Sequence, residues 1–305
     1  MSAAKKKKTS SSFVSAWLRR LLSWLWGPGR LVFTLAVLLG LLLGGTYATW
    51  RWLKPRILGS PEYRVSAEQV EITPPPPWIH RDIRAEVFRD PTLDGPLSIM
   101  DDDLAERISK AFSRHPWVAG VGPVTKRHPA SITVELKYRR PVCMVEVPGG
   151  LLPVDAEGTL LPSGDFSPSE AARYPRLAGV DREPTGPAGS RWGDAKVIGG
   201  AEIATAFGPA WTAMNLQRIV PLGSDTALGN ASPRQSSEPV FMLLTRGNTS
   251  IRWGYAPGAN AIGEVSAVEK VARLQRYFNK HDSLDGRQGH RQELDVRTLP
   301  PSVSP

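Results

Sequence analysis

Residues 31–50 read LVFTLAVLLGLLLGGTYATW, twenty positions without a charge. At about 1.5 Å per helical residue such a run covers roughly 30 Å, the thickness of a bilayer's hydrocarbon core. The segment predicts a transmembrane helix, and with it a chain divided into a part before the membrane and a part after it. Trp24, Trp26, Tyr47, Trp50 and Trp52 flank its two ends, where amphipathic rings favour the interface. Seven basic residues precede the run and three follow closely (Arg51, Lys54, Arg56), which puts residues 1–30 in the cytoplasm and the rest outside it. The run is long for a signal peptide and no A-x-A pattern follows, so an uncleaved anchor is expected. Upstream, Val14, Trp17, Leu18, Leu21 and Leu25 share one helical face, suited to a helix lying in the interface of the lipid bilayer.

The net charge of +9 has to be read against that division. Of the 38 Lys and Arg, ten fall in residues 1–56, which hold no acid, leaving 28 to balance all 29 Asp and Glu in 57–305. The basicity belongs to the membrane segment, and no nucleic-acid partner is expected. Cys143 is the single cysteine, so an internal disulfide is excluded. Beside a strand, with no base evident nearby, it reads as a small apolar residue rather than a nucleophile.

Beyond the anchor, 65–72 reads as a strand, and Pro74–Pro77 as a stiff spacer that no central strand accommodates. Ile79, Ile83 and Val87 form a modest helical stripe. Leu104, Ile108, Ala111 and Phe112 form a better one, opened by Asp101–Asp103, with Glu106 at capping-box spacing from Asp103, and stopped by Pro116. Two strands follow. In the second, Ile132, Val134, Leu136 and Tyr138 face one way while Thr133, Glu135, Lys137 and Arg139 face the other, the pattern of a half-buried strand. Residues 65–142 therefore read β-α-α-β-β, with Trp117 as a plug under the helix. Hairpins are expected at Gly149-Gly150 and Glu157-Gly158, surface loop over 162–193, and a helix over 194–209 despite Gly199-Gly200. Strands are expected at 214–222, 239–245 and 250–256, a polar insert at 223–238, a helix at 264–279 with a stripe of Val268, Val271, Leu274 or Gln275, and Phe278, and a last strand at 292–299.

Taken in order, HPWVAGVGPVTKRHPASITVELKYRRPV and LLPVDAEGTLL resemble the bacterial cell-division proteins of the FtsQ/DivIB family, in which a Pro-Trp-Val closes a POTRA helix and an Arg-Arg-x-Pro-Val leads to a Val-Asp-x-x-Gly turn. Here these are Pro116-Trp117-Val118, Arg139-Arg140-Pro141-Val142 and Val154-Asp155-Ala156-Glu157-Gly158. SIRWG, the helix at 264–279 and ELDVR follow in the family's order. The Pro74–Pro77 run and the 223–238 insert depart from it. The resemblance implies an α+β chain: a cytoplasmic tail with an interfacial helix (1–30), a single transmembrane helix (31–50), a POTRA-like β-α-α-β-β domain (59–142), a β-rich domain with one or two helices (143–299) and a short tail (300–305). It gives Trp117, Ile132, Val134, Leu136 and Pro141 structural places in the POTRA unit. Glu293, Leu294, Asp295, Val296, Arg297 and Thr298 would form a partner-binding edge. The implied partners are small coiled-coil membrane proteins of FtsB/DivIC and FtsL type, with other division proteins on the POTRA unit. The implied setting is the cytoplasmic membrane at the division site, where such proteins help control septal peptidoglycan synthesis.

No catalytic residue, metal or cofactor is expected. His80, His115, His128, His281 and His290 lack metal-ligand spacing, and neither a Gly-x-Ser-x-Gly elbow nor an HExxH motif occurs. The rival readings are a POTRA-bearing assembly factor, which would need a barrel the remaining chain is too short to build, and an anchored envelope enzyme, for which the sequence offers no candidate residue.

Overall fold

The structure, a computed structural model, describes residues 30–58, 62–222, 238–259, 263–286 and 292–297. The chain forms two compact units, Met1–Arg64 and Val65–Pro305. In the first, helix α1 (Arg30–Leu58) runs past the expected end at residue 50. Its apolar part, Leu31–Lys54, has a mean hydropathy of 2.1 and at about 36 Å is long enough to cross a membrane. The hydroxyls of Thr46 and Thr49 donate to the carbonyls of Leu42 and Gly45 one turn back, at 2.9 and 2.8 Å, so neither leaves a polar group unsatisfied. The interfacial helix expected upstream lies outside the described residues.

The second unit has two hydrophobic cores. The first is built by β1 (Val70–Ile72), α2 (Ile83–Val87), α3 (Leu104–Ser113), β2 (Val118–Arg127) and β3 (Ser131–Tyr138); the expected β-α-α-β-β order is interrupted by a short strand, Leu97–Ser98, between the two helices, which pairs with Arg64–Val65 in a separate two-stranded sheet. β3 is central, parallel to β1 and antiparallel to β2. Ile132, Val134 and Leu136 are buried on its inner face, as their alternation requires. Ile79, Ile83 and Val87 are all buried, although only the last two lie in the helix. Asp82, whose side chain accepts from the Ala85 N–H at 3.1 Å, starts α2 after Ile79. The four apolar residues of α3 are buried as well, but the capping box is not formed. Asp103 sits at φ −86° and ψ −8°, helical rather than extended, so its carboxylate cannot reach back over the first-turn N–H groups. Asp101 instead accepts from the Ser98 N–H at 3.2 Å.

The second core covers a seven-stranded mixed sheet of β4 (Cys143–Val147), β5 (Gly150–Val154), β6 (Arg176–Leu177), β7 (Leu216–Leu222), β8 (Val240–Thr245), β9 (Ser250–Tyr255) and β10 (Glu293–Asp295). The spatial order is β10-β9-β8-β7-β6-β4-β5. Helices α4 (Ala195–Phe207) and α5 (Ala267–His281) contribute side chains to this core. The first expected hairpin is present, pairing Val147 with Gly150. The second is a short turn with a single bridge, Val154 to Leu160, flanked by the bonds from Asp155 N–H to Thr159 O and from Leu161 N–H to Pro153 O, while Leu160 N–H turns outward to Ser190 O. Residues 162–193 are not all surface loop. Within them β6 lies between β4 and β7, with Leu177 fully buried; two residues are too few to show a period in sequence. Gly199 and Gly200 do not weaken α4 but let it approach the sheet. A Cβ at Gly199 would sit 2.7 Å from Phe241 Cζ, and one at Gly200 2.7 Å from Leu177 Cδ1.

The two cores are tied by buried charge. Asp165, from the second segment, accepts from Trp117 Nε1 and from Arg81 Nε, both at 2.7 Å. Asp155 likewise accepts from Arg139 Nη1 at 2.7 Å, and Leu161 packs into the first core. Replacing Asp165 by Ala strands the Trp117 N–H and is expected to cost about 2–4 kcal/mol, with Asp165→Asn losing less because it keeps an acceptor. Urea unfolding followed by tryptophan fluorescence measures this; a loss below about 1 kcal/mol would mean the tie contributes little.

Candidate functional site

β10 is the last strand at one edge of the seven-stranded sheet, and its pairing decides which groups it offers. It runs parallel to β9, with Glu293 beside Ser250, Leu294 beside Ile251 and Asp295 beside Arg252. Ser250 N–H donates to Gln292 O at 2.9 Å, and Val296 N–H donates to Arg252 O at 3.3 Å. Backbone groups alternate in direction along a strand, so Gln292, Leu294 and Val296 turn theirs toward β9. Glu293 and Asp295 turn theirs to the open side, where no described residue takes them.

The side chains alternate the other way. Leu294 is half-buried and Val296 buried against the core, while Glu293 and Asp295 are exposed. Glu293 pairs with Arg252, and Asp295 with Arg297 Nη2 at 2.7 Å. The hydrogen bond from Arg297 holds the Asp295 carboxyl below its ordinary value, and that same carboxylate raises the Arg297 guanidinium. Asp295 also accepts the Arg297 N–H at 3.0 Å, which turns the chain and ends the strand. Arg297 O in turn accepts from Val265 N–H at 3.4 Å, closing the edge there. The expected six-residue edge is therefore shorter. Glu293, Leu294 and Asp295 form it, Val296 is a core residue, Arg297 is a turn residue, and Thr298 lies outside the described residues.

Other edges are less suited. β5 carries Pro153, whose carbonyl is already taken by Leu161 N–H, and β2 carries Pro123 and shifts register twice. The loop and helix beside β9 hold what sequence reasoning missed. α5 does not present Val268 inward; that residue is 79% exposed, whereas Lys270 is 3% exposed. Lys270 Nζ lies 2.5 Å from Glu264 Oε2 and 5.0 Å from the Trp253 ring, and Glu264 also accepts from Tyr255 N–H. A lysine buried by a carboxylate and an indole breaks the rule that apolar periodicity marks the inner face.

Trp117, Ile132, Val134, Leu136 and Pro141 are all buried. Among the described residues no group of three His, Cys, Asp or Glu is placed to hold a metal ion. His80 reaches Asp165 O, His115 sits between Glu86 and the Trp117 N–H, and His281 stacks on Tyr277; His290 lies outside the described residues. No protein-family model matches the chain, and no curated protein does.

Cys143 has no exposed surface, and burial pushes its thiol up to about 12, with the Asp155 charge adding to the effect. A disulfide-exchange reagent should leave the folded protein unmodified at neutral pH and titrate one thiol after unfolding. Because the folded value is raised above 9.0, the thiol's contribution to stability is whole below pH 9 and falls as pH climbs toward 12. Rapid labelling of the native protein would contradict this burial.

Proposed function

We propose that this chain is a non-catalytic scaffold of the bacterial divisome, anchored in the cytoplasmic membrane by α1 and capturing a partner by strand addition at β10. The observation that carries the reading is the open edge itself: the outward backbone groups of Glu293 and Asp295, with no proline to block them. The three-stranded sheet of β1, β2 and β3 with α2 and α3 in one core, the sheet-rich part after it and the membrane-length helix before it all suit the FtsQ/DivIB-like arrangement. On this reading residues 1–30 are cytoplasmic and the part beyond α1 is extracytoplasmic. The first lobe is a POTRA-like unit and a second docking surface for division proteins. The strand added at β10 belongs to a coiled-coil membrane protein of FtsB/DivIC type, itself paired with an FtsL-type protein, and the assembly helps control septal peptidoglycan synthesis.

The test has a cellular and a molecular arm. An N-terminal fluorescent fusion should gather at the division site, with filamentous or chained cells when the untagged protein is depleted. Glu293→Pro is the sharper probe, because it removes an outward N–H while the ladder to β9 keeps its bonds. Val296→Pro would instead break the bond to Arg252 and disturb the core. Capture of the FtsB/DivIC-type partner should weaken about tenfold in Glu293→Pro, the equivalent of one good hydrogen bond, with little change in the urea midpoint. An even membrane signal with normal division, or capture that ignores Glu293→Pro, would overturn the reading.

A further inference from the structure

A cleft of about 1090 Å³ opens between the two lobes, where the end of β3 and residues 139–142 face the 155–159 turn, residues 173–175 and residues 208–212. Its charge is one-sided. Lys137, Arg139, Arg140, Arg173 and Arg191 line it, against Asp155 and Glu157. Asp155 is already engaged: one oxygen takes Arg139 Nη1, and the other takes the N–H groups of Glu157 and Thr159 at 3.1 and 2.7 Å. Arg139 nevertheless keeps a buried Nε–H with no acceptor. Buried donors in folded proteins are almost always paired, so this guanidinium carries bonding capacity that Asp155 does not take up.

The three remaining arginines sharpen the point. Arg140, Arg173 and Arg191 are exposed, and none makes an ion pair or side-chain hydrogen bond with a described residue. In residues 57–305 acids and bases are nearly balanced, so three guanidinium groups gathered at one cleft, with only Glu170 acting at a distance on Arg173, are a local excess. Half-buried Tyr174 and exposed Pro209 give the same cleft apolar surface, with Pro175 and Trp211 buried behind them.

We propose that this cleft docks an acidic segment of a partner protein, an extended peptide whose carboxylates meet Arg140, Arg173 and Arg191 while its apolar side chains rest on Tyr174 and Pro209. The volume reaches the top of the range for small-ligand pockets, about 300–1,000 Å³, and exceeds what one small anion fills. The arginines come from three separate segments, which suits carboxylates spaced along a chain. Guanidinium forks take carboxylates in pairs of parallel hydrogen bonds, so the site reads charge with direction. The inference is independent of the β10 edge and would stand if that edge paired with nothing.

The experiment uses the full chain in nanodiscs of uncharged lipid and a short fluorescein-labelled peptide alternating Glu with Leu and Gly, followed by anisotropy. The Glu peptide should bind at least about tenfold tighter than its Gln counterpart, and added salt should weaken it. The variant R140Q/R173Q/R191Q should lose that preference with its melting curve unchanged. The corresponding Arg→Lys variant should retain part of it, and R89Q/R127Q/K280Q, which removes exposed bases elsewhere, should retain all of it. Equal binding by wild type and R140Q/R173Q/R191Q would overturn the proposal. So would displacement of the peptide by low millimolar inorganic phosphate or by phosphatidylglycerol vesicles, since either would make the cleft a phosphate site. A failed peptide assay leaves capture at β10 untouched, and a failed Glu293→Pro assay leaves the cleft untouched, so the two readings fall separately.

Discussion

The Asp165 carboxylate is the charge around which the two lobes are organised. Its side chain is 2% exposed, and a carboxylate taken that far from water costs several kcal/mol unless its oxygens are satisfied. Here each oxygen has a short donor, Arg81 on one and the Trp117 indole on the other. The need is mutual, because Trp117 is wholly buried and its N–H has no other acceptor. Trp117 also fixes the chain around it: its carbonyl accepts from Arg139 N–H, and its ring lies 6.1 Å from Phe166, which meets Tyr174 edge-on at 5.8 Å. The lobes are therefore joined by a charge, an indole and an aromatic series, and Tyr174 at the end of that series lines the basic cleft.

What the sequence disclosed follows from which physical signals are local. The long apolar helix, the inner face of α3 and the alternation of β3 are signals sustained over about ten residues or more; the last two are as expected, and the helix is present but longer than its apolar run. Glycine was misjudged in α4, because its low helix propensity is visible in sequence while the closeness of Phe241 and Leu177 is a tertiary fact. The inward lysine of α5 was invisible for the same reason. Nothing around Lys270 in sequence announces that Glu264 and Trp253 will converge on it, and Val268, the better apolar candidate, faces outward. Asp103 shows the reverse error, a correct motif whose backbone takes the wrong conformation.

At the candidate edge the strand was legible but its length was not. A strand was expected over 292–299, and the resemblance implied an edge through Thr298, yet Asp295 folds back on Arg297 and Val296 is drawn into the core. The result also guards the protein. Long, flat, apolar edges invite indiscriminate pairing, whereas this one is three residues long with an ion pair at Glu293 and another at Asp295.

A short edge bears on how a scaffold of this kind could work. Two residues with outward backbone groups offer at most four hydrogen bonds, each worth about 0.5–1.5 kcal/mol net. Ordering a partner strand and giving up its translational freedom consumes several kcal/mol, so such an edge holds a freely diffusing partner poorly. Confinement changes the balance. If both proteins are held to one membrane, association becomes nearly intramolecular, at an effective concentration in the millimolar range for short flexible connections. The same four bonds are then enough, and only while both anchors share the bilayer. On the proposed reading, a longer edge would bind more tightly but would also pair away from its proper partner, so brevity at β10 and length in α1 would serve one purpose: capture that depends on being in the same place.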